Sequence, residues 1–321
     1  MTIFKEKYQL GSEGFLLSFL DRFQILHSGD IKDYVRELKE NNSTDDSNIY
    51  LILRRPRVTL IPESFKQNDD HLSLAFEIWD TNEPLQLTSM FNFPVLKGKV
   101  KIESKFPYNK FKLIDEHGNT ITSRPASMLD HSEQGIGEFQ KLLDYEVLYV
   151  GQAFGTDGNR NSLDRIIKHE TLQEILNDGL NEHPDKEIFV LLGNFSRKQI
   201  LMSLPYSEFN GKFNEELERH FFENSGFKIS EKQHINLTEG MLIRYFQPFY
   251  NEKFKKNFPS KLHASYSELY KLNLRAIALE INSDHINTNL YSEKIGRKSA
   301  HFQNFGLTKK NGRFNIFELK M

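Results

Sequence analysis

The sequence predicts an α+β protein in two parts: a mostly-β region over residues 1–130 and a region of alternating strands and helices over residues 131–321. Three observations carry this. Runs of apolar residues, some alternating with polar ones, fill the first part. A polar stretch at residues 122–137, holding Pro125, Gly135 and Gly137, reads as a linker. Beyond it, short apolar runs of strand length alternate with helical periodicity. A chain of 321 residues also exceeds the roughly 100–200 of an ordinary domain.

Taken in order, residues 15–26 and 31–38 place apolar side chains three and four apart, which predicts two helices, followed by a polar loop at 40–47. Residues 49–61 (IYLILRRPRVTLI) form an apolar run broken by Arg54-Arg55-Pro56, as if two strands met at a kink or tight bend. Residues 72–79 (LSLAFEIW) alternate at period two, and 98–102 and 111–114 continue as strands. The turn-rich Asp115-Glu116-His117-Gly118-Asn119 should reverse the chain. In the second part, residues 145–150 (YEVLYV) are a short buried strand running into a glycine-rich loop. Residues 162–177 are a helix, 187–192 a strand, 215–223 a helix, and 238–246 a helix that stops before Pro248.

Composition narrows the function. Hydrophobic residues are 38% of the chain and charged residues 27%, enough apolar matter for a core. The absence of cysteine excludes disulfides, thiolate nucleophiles and cysteine-held zinc. No apolar run reaches the roughly 18 residues needed to cross a bilayer, and MTIFKEKYQL does not read as a secretion signal. The expectation is a cytoplasmic protein without a membrane partner. The net charge of −2 divides unevenly, +8 from Met241 onward and −10 before it. A basic final third points to an anionic partner, nucleic acid above all.

The strand–glycine–helix layout after residue 150 suits an anion cradle, but Gly158 is followed by Asn159-Arg160 rather than the Lys-Ser/Thr of a P-loop. Gly151, Gly155 and Gly158 also miss the dinucleotide spacing, and Gln173 stands where a zincin helix needs its second histidine. A more coherent set remains: Tyr149 at a strand end, Arg165 and His169 four apart in the helical register, Glu239 opening a later helix, and Asn251. A carboxylate to hold a divalent cation, an arginine to neutralise a phosphate, and histidine or tyrosine to manage a water proton are the parts of phosphodiester hydrolysis.

These residues resemble the GIY-YIG nuclease family. Tyr149-Val150-Gly151 is similar to the second half of the family name, Arg165 and His169 to its R-x-x-x-H helix, and Glu239 to its metal-binding glutamate. The step from Glu239 to Asn251, through L-I-x-x-F-x-P-x-x-N, is similar to the family's repair-type members. The likeness covers about residues 135–255. Gly-Ile-Tyr is not found at the usual short spacing before Tyr149; the nearest string is Gly135-Ile136-Gly137, with glycine in place of the tyrosine.

The resemblance implies a GIY-YIG-like α/β domain with a small central sheet flanked by helices, and a Mg²⁺- or Mn²⁺-dependent endonuclease acting on DNA. Glu239 would hold the metal, Arg165 the scissile phosphate, Tyr149 and His169 the water, and Asn251 would orient the site. Lys253, Lys255 and Lys256, close behind Asn251, are expected to track the nucleic-acid backbone. By analogy the setting is phage defence or mobile-element biology. The other expectations are a catalytically degenerate nucleic-acid-binding protein on the same scaffold, or a protein-interaction module whose partner meets the N-terminal region.

Overall fold

The computed structural model describes residues 10–68, 71–80, 83–130, 137–153, 166, 169–205, 229–259, 274 and 276–307. Strands dominate, and most of them join one large curled sheet of nine strands. Its main path starts at β11 (Leu290–Tyr291), β8 (Tyr145–Gln152), β2 (Ile49–Gln67) and β9 (Lys186–Pro205). It continues through β1 (Leu10–His27), β10 (Ala276–Asn282) and β12 (Ala300–Gly306). The pairs β1–β10 and β8–β11 are parallel and the others antiparallel. The sheet is therefore large, not the small central one expected. Strands from before and after residue 130 alternate within it, so the boundary placed at 130/131 does not divide the sheet.

The expected helix at residues 15–26 is instead part of strand β1. Its apolar residues line both faces: Leu16 packs in the main core, while Phe15 and Leu17 join Ala276 and Ala278 on the opposite side. A strand buried on both faces loses the period-two signal and mimics helical spacing. The kink expected at Pro56 is a change of sheet within one continuous strand. Up to Pro56, β2 pairs with β9, and from Arg57 it pairs with β3 (Leu72–Trp79), which pairs in turn with β4 (Leu85–Phe91).

A separate three-stranded sheet, β5 (Val100–Ser104), β6 (Phe111–Asp115) and β7 (Thr120–Ser123), packs Val100, Phe111 and Leu113 into the same core as the far half of β2. The turn after β6 forms as expected, with Asp115 Oδ1 accepting from the amides of His117 and Asn119. Much of the stretch read as a linker is structured. Pro125–Asp130 is a helix (α2) that buries Ala126, Met128 and Leu129, and Gly137–Leu143 is a 3-10 helix. Met128 and Leu129 anchor α2 to the core.

The other helices are α1 (Ile31–Glu40), α3 (Glu170–Asn181) and α4 (Glu231–Phe246). The α1 expectation at residues 31–38 is met within two residues. The α4 helix is capped by Ser230, whose side chain accepts from Gln233 N at 3.4 Å, starts at Glu231, seven residues before the expected start at 238, and ends with Gln247 in the left-handed region before Pro248. Its residues Leu237, Met241 and Leu242 belong to the main core, whereas Leu172 and Ile175 of α3 join the cluster containing Tyr50, Ile52 and Leu148. The two helices thus cover opposite faces of the β2–β8 region. The helix expected at 215–223 lies outside the described residues. No helix among the described residues is long and apolar enough to cross a membrane.

Candidate active site

Strand β8 carries the first site residue. Its register against β2 runs Ile52↔Tyr149 and then Leu53↔Val147, so Leu148 is bulged. A bulge re-aims the side chains beside it. Leu148 and Tyr149 both face the α3 side, where Tyr149 meets Tyr50 of β2 at 6.0 Å between ring centroids and His169 at 5.7 Å. Tyr50 pairs with Gly151, and a Cβ at Gly151 would stand 2.5 Å from Tyr50 Cζ. Only glycine leaves room for that ring.

Past Glu146, β8 has no strand neighbour on its open edge among the described residues, because β11 pairs only with Tyr145 and Glu146. The Pro248–Asn251 segment takes that place. Tyr250 N donates to Leu148 O at 3.1 Å. Asn251 Nδ2 donates to Val150 O, and Val150 N donates to Asn251 Oδ1, both at 2.9 Å. The buried Asn251 amide therefore stands in for one residue of a strand and closes the backbone groups beside Tyr149. Arg244 Nη1 donating to Lys255 O, and the Phe258 ring lying against Gly240, where no Cβ would fit, hold the following segment over α4.

A cleft of about 730 Å³ opens at this edge. Tyr149, Thr171, Glu174 and Asp178 line one side, Glu239 and Ile243 the other, and residues 249–254 complete it. Glu239 is not the first-turn residue expected, because α4 begins eight residues earlier. It sits mid-helix and half-buried, with Oε2 accepting from Gln152 Nε2 at 2.7 Å; Gln152 also donates to Asn236 Oδ1 at 2.7 Å. Burial pushes its carboxyl up to about 6, against the opposing hydrogen bond from Gln152 and charge of Lys253. Burial and the Glu239 charge also raise the Tyr149 phenol, and hydrogen bonds with Tyr50 and Thr171 oppose the shift. Tyr149 is thus held as a neutral hydrogen-bond donor at neutral pH.

Tyr149, Glu239, Asn251 and Lys253 share this cleft, and His169 lies next to Tyr149. His169 is not on a helix with Arg165. It is the residue before α3, with extended backbone (φ −70°, ψ 126°), and α3 itself starts at Glu170. Arg165 lies outside the described residues. Lys255 Nζ donates to the Phe249 carbonyl at 3.2 Å, and Lys256 is exposed; neither lines the cleft.

Sequence reasoning overlooked Tyr50, Gln152 and Thr171. Tyr50 lies in the apolar run of residues 49–61, far upstream of Tyr149. Strand pairing supplies the adjacency that sequence spacing hid. Tyr250 donates to Asp178 Oδ2 at 2.7 Å and ties α3 to the loop.

No three His, Asp or Glu side chains gather to hold a metal among the described residues. A mostly hydrated Mg²⁺ asks less, one or two carboxylates beside open space, and Glu239 at the cleft wall meets that requirement. No family model, curated protein or solved structure matches the chain.

Proposed function

We propose that the protein is a Mg²⁺- or Mn²⁺-dependent endonuclease that hydrolyses DNA phosphodiester bonds in the Tyr149–Glu239 cleft. The observation that carries this reading is convergence. A strand-end tyrosine, a half-buried glutamate and a clamping asparagine from three distant segments meet at one sheet edge, in an open cleft, with a second tyrosine beside the first.

Each side chain has a task that follows from its surroundings. Tyr149, kept protonated, donates a hydrogen bond to the attacking water or to a phosphate oxygen, and Tyr50 fixes its hydroxyl. His169, beside both tyrosines, is assigned the water proton on the family resemblance. Lys253 supplies positive charge opposite Glu239, and Arg165 is assigned the phosphate on the family resemblance. Asn251 keeps β8 in register with the loop. Glu239 would hold the cation, which supplies charge neutralisation and a more acidic water. The cleft also explains why a cation is needed: Glu174, Asp178, Glu239 and Glu252 outnumber Lys253 there, and would repel a bare phosphate.

The test is nicking of supercoiled plasmid with Mg²⁺, with Mn²⁺ and with EDTA, by wild type, Glu239→Gln and Tyr149→Phe. Metal-dependent nicking lost in the glutamine variant supports the reading. Equal nicking by wild type and Glu239→Gln, or none by wild type with either metal, rejects it.

A further inference from the structure

The three-stranded sheet β5–β7 carries a feature that the cleft chemistry does not use. Residues 97–112 hold six lysines and one acidic residue, Glu103, although the chain as a whole is slightly acidic. The register places Lys101, Ile114 and Thr120 in one row and Glu103, Lys112 and Thr122 in the next, so these side chains share a face. Val100, Phe111 and Leu113 bury the other face, and Lys101, Lys112, Thr120 and Thr122 are exposed. Lys110 is committed to Asp30 at 3.1 Å. Lys101, Lys105 and Lys112 have no ion-pair partner among the described residues.

At the end of this face the loop between β5 and β6 holds Phe106 in water, 85% exposed. The exposure is not fraying, because the loop is tied down around it. Tyr108 N donates to Lys105 O at 2.8 Å, Leu60 N to Tyr108 O at 2.8 Å, Ser104 Oγ to Lys110 O at 2.8 Å, and Arg124 Nη1 to Asn109 O at 3.1 Å. The Phe106 and Tyr108 rings meet edge to face at 6.1 Å. A large apolar ring fixed in solvent beside unpaired lysines and hydroxyls offers a flat surface for stacking, with cations placed for a polyanion.

We propose that this sheet face binds a single strand of nucleic acid, with Phe106 stacked on an unpaired base and Lys101, Lys105 and Lys112 against its phosphates. A single strand is favoured over a duplex because only an unstacked base presents its face to an aromatic ring. The site is separate from the cleft. The path along β2 from Tyr50 to Leu60, where the loop attaches, is ten residues or at most about 33 Å. That is the reach of about ten nucleotides at roughly 3.4 Å each. Binding here needs neither metal nor hydrolysis, so it stands or falls independently of the nuclease reading.

The experiment is fluorescence anisotropy in EDTA with the full chain and a labelled thymidine oligonucleotide of about 20 nucleotides, at several salt concentrations. The Lys101→Ala, Lys105→Ala, Lys112→Ala triple variant should bind at least about tenfold more weakly. Its salt dependence should flatten by about 2 in log–log slope, at roughly 0.7 per lost single-strand phosphate contact. Phe106→Ala should weaken binding about fivefold or more. These are surface positions, and circular dichroism confirms that each variant folds. Unchanged affinity and slope in the triple variant overturns the proposal, as does failure of wild type to bind the oligonucleotide. Lysine-dependent binding to phosphatidylserine vesicles in place of the oligonucleotide overturns it too, and assigns the face to a membrane surface.

Discussion

Replacing Asn251 by alanine tests the strand-mimicking clamp at its weakest assumption, that two hydrogen bonds rather than packing hold the loop to β8. Both bonds are 2.9 Å long, and both end on the backbone of Val150, which is fully buried. The variant strands one N–H and one C=O. Each orphaned group costs about 1–3 kcal/mol, and a water entering the vacated space recovers part of that, so the expected loss is about 2–4 kcal/mol. Urea unfolding followed by circular dichroism and by the single tryptophan, Trp79, should show a lower midpoint with an unchanged slope. Asn251→Asp sharpens the test. Its carboxylate still accepts from Val150 N but faces Val150 O without a proton to donate. It should therefore be least stable at neutral pH and recover as acidification restores that proton. A loss below about 1 kcal/mol in Asn251→Ala would refute the clamp and leave Asn251 with a role in substrate contact alone.

Other outcomes follow from the same geometry. Gly151→Ala should displace the Tyr50 ring, costing about 1–3 kcal/mol by denaturant unfolding and most of any nicking activity. Mg²⁺ at a hundredfold over its Kd should stabilise wild type by about 2.7 kcal/mol in thermal unfolding, and Glu239→Gln by much less; equal stabilisation would place the cation elsewhere. Asp30 is partly buried, which alone would raise its carboxyl, but the hydrogen bonds and charges of Arg124 and Lys110 outweigh this and bring it down to about 2. A depressed carboxyl stabilises the fold above its ordinary value of 3.8 and loses that contribution as pH falls toward about 2. With solvent screening discounted the contribution is about 1–2 kcal/mol, so the stability of Asp30→Asn should converge with that of wild type only as pH falls to about 2.

Local chemistry was legible in the sequence wherever one face of an element meets water. The β3 strand, the Asp115 turn, the α1 helix and the stop at Pro248 all carry their signals in a few adjacent residues. Where the chain is buried on both faces the signals fail: β1 reads as a helix because apolar residues occupy both sides, and α4 reads short because its first turns include the buried His234. His234 is satisfied by Ser18 Oγ at 3.0 Å, a contact across 216 residues that no local pattern announces. The site divides the same way. Tyr149, Glu239 and Asn251, which line one cleft, stand out by their spacing along the chain. Tyr50 does not, because its adjacency to Tyr149 is a matter of strand register between residues far apart in the chain, and register is set by pairing rather than by loop length. Closing a loop of nearly a hundred residues instead of about ten adds only about 2 kcal/mol of entropy, so the chain tolerates the detour.

The parallel pairing of β1 with β10 joins Phe15 to Ala276 in the interior of the sheet. On a ribosome adding about 5–20 residues per second, the first of these residues waits some tens of seconds for the second. Throughout that interval one edge of β1 has no native partner, although β9 can already cover the other. The nascent chain thus offers a long apolar strand edge to whatever is nearby, a holding chaperone or another copy of itself. Late translation, rather than the assembly of the cleft, is where this protein is most exposed to misassembly.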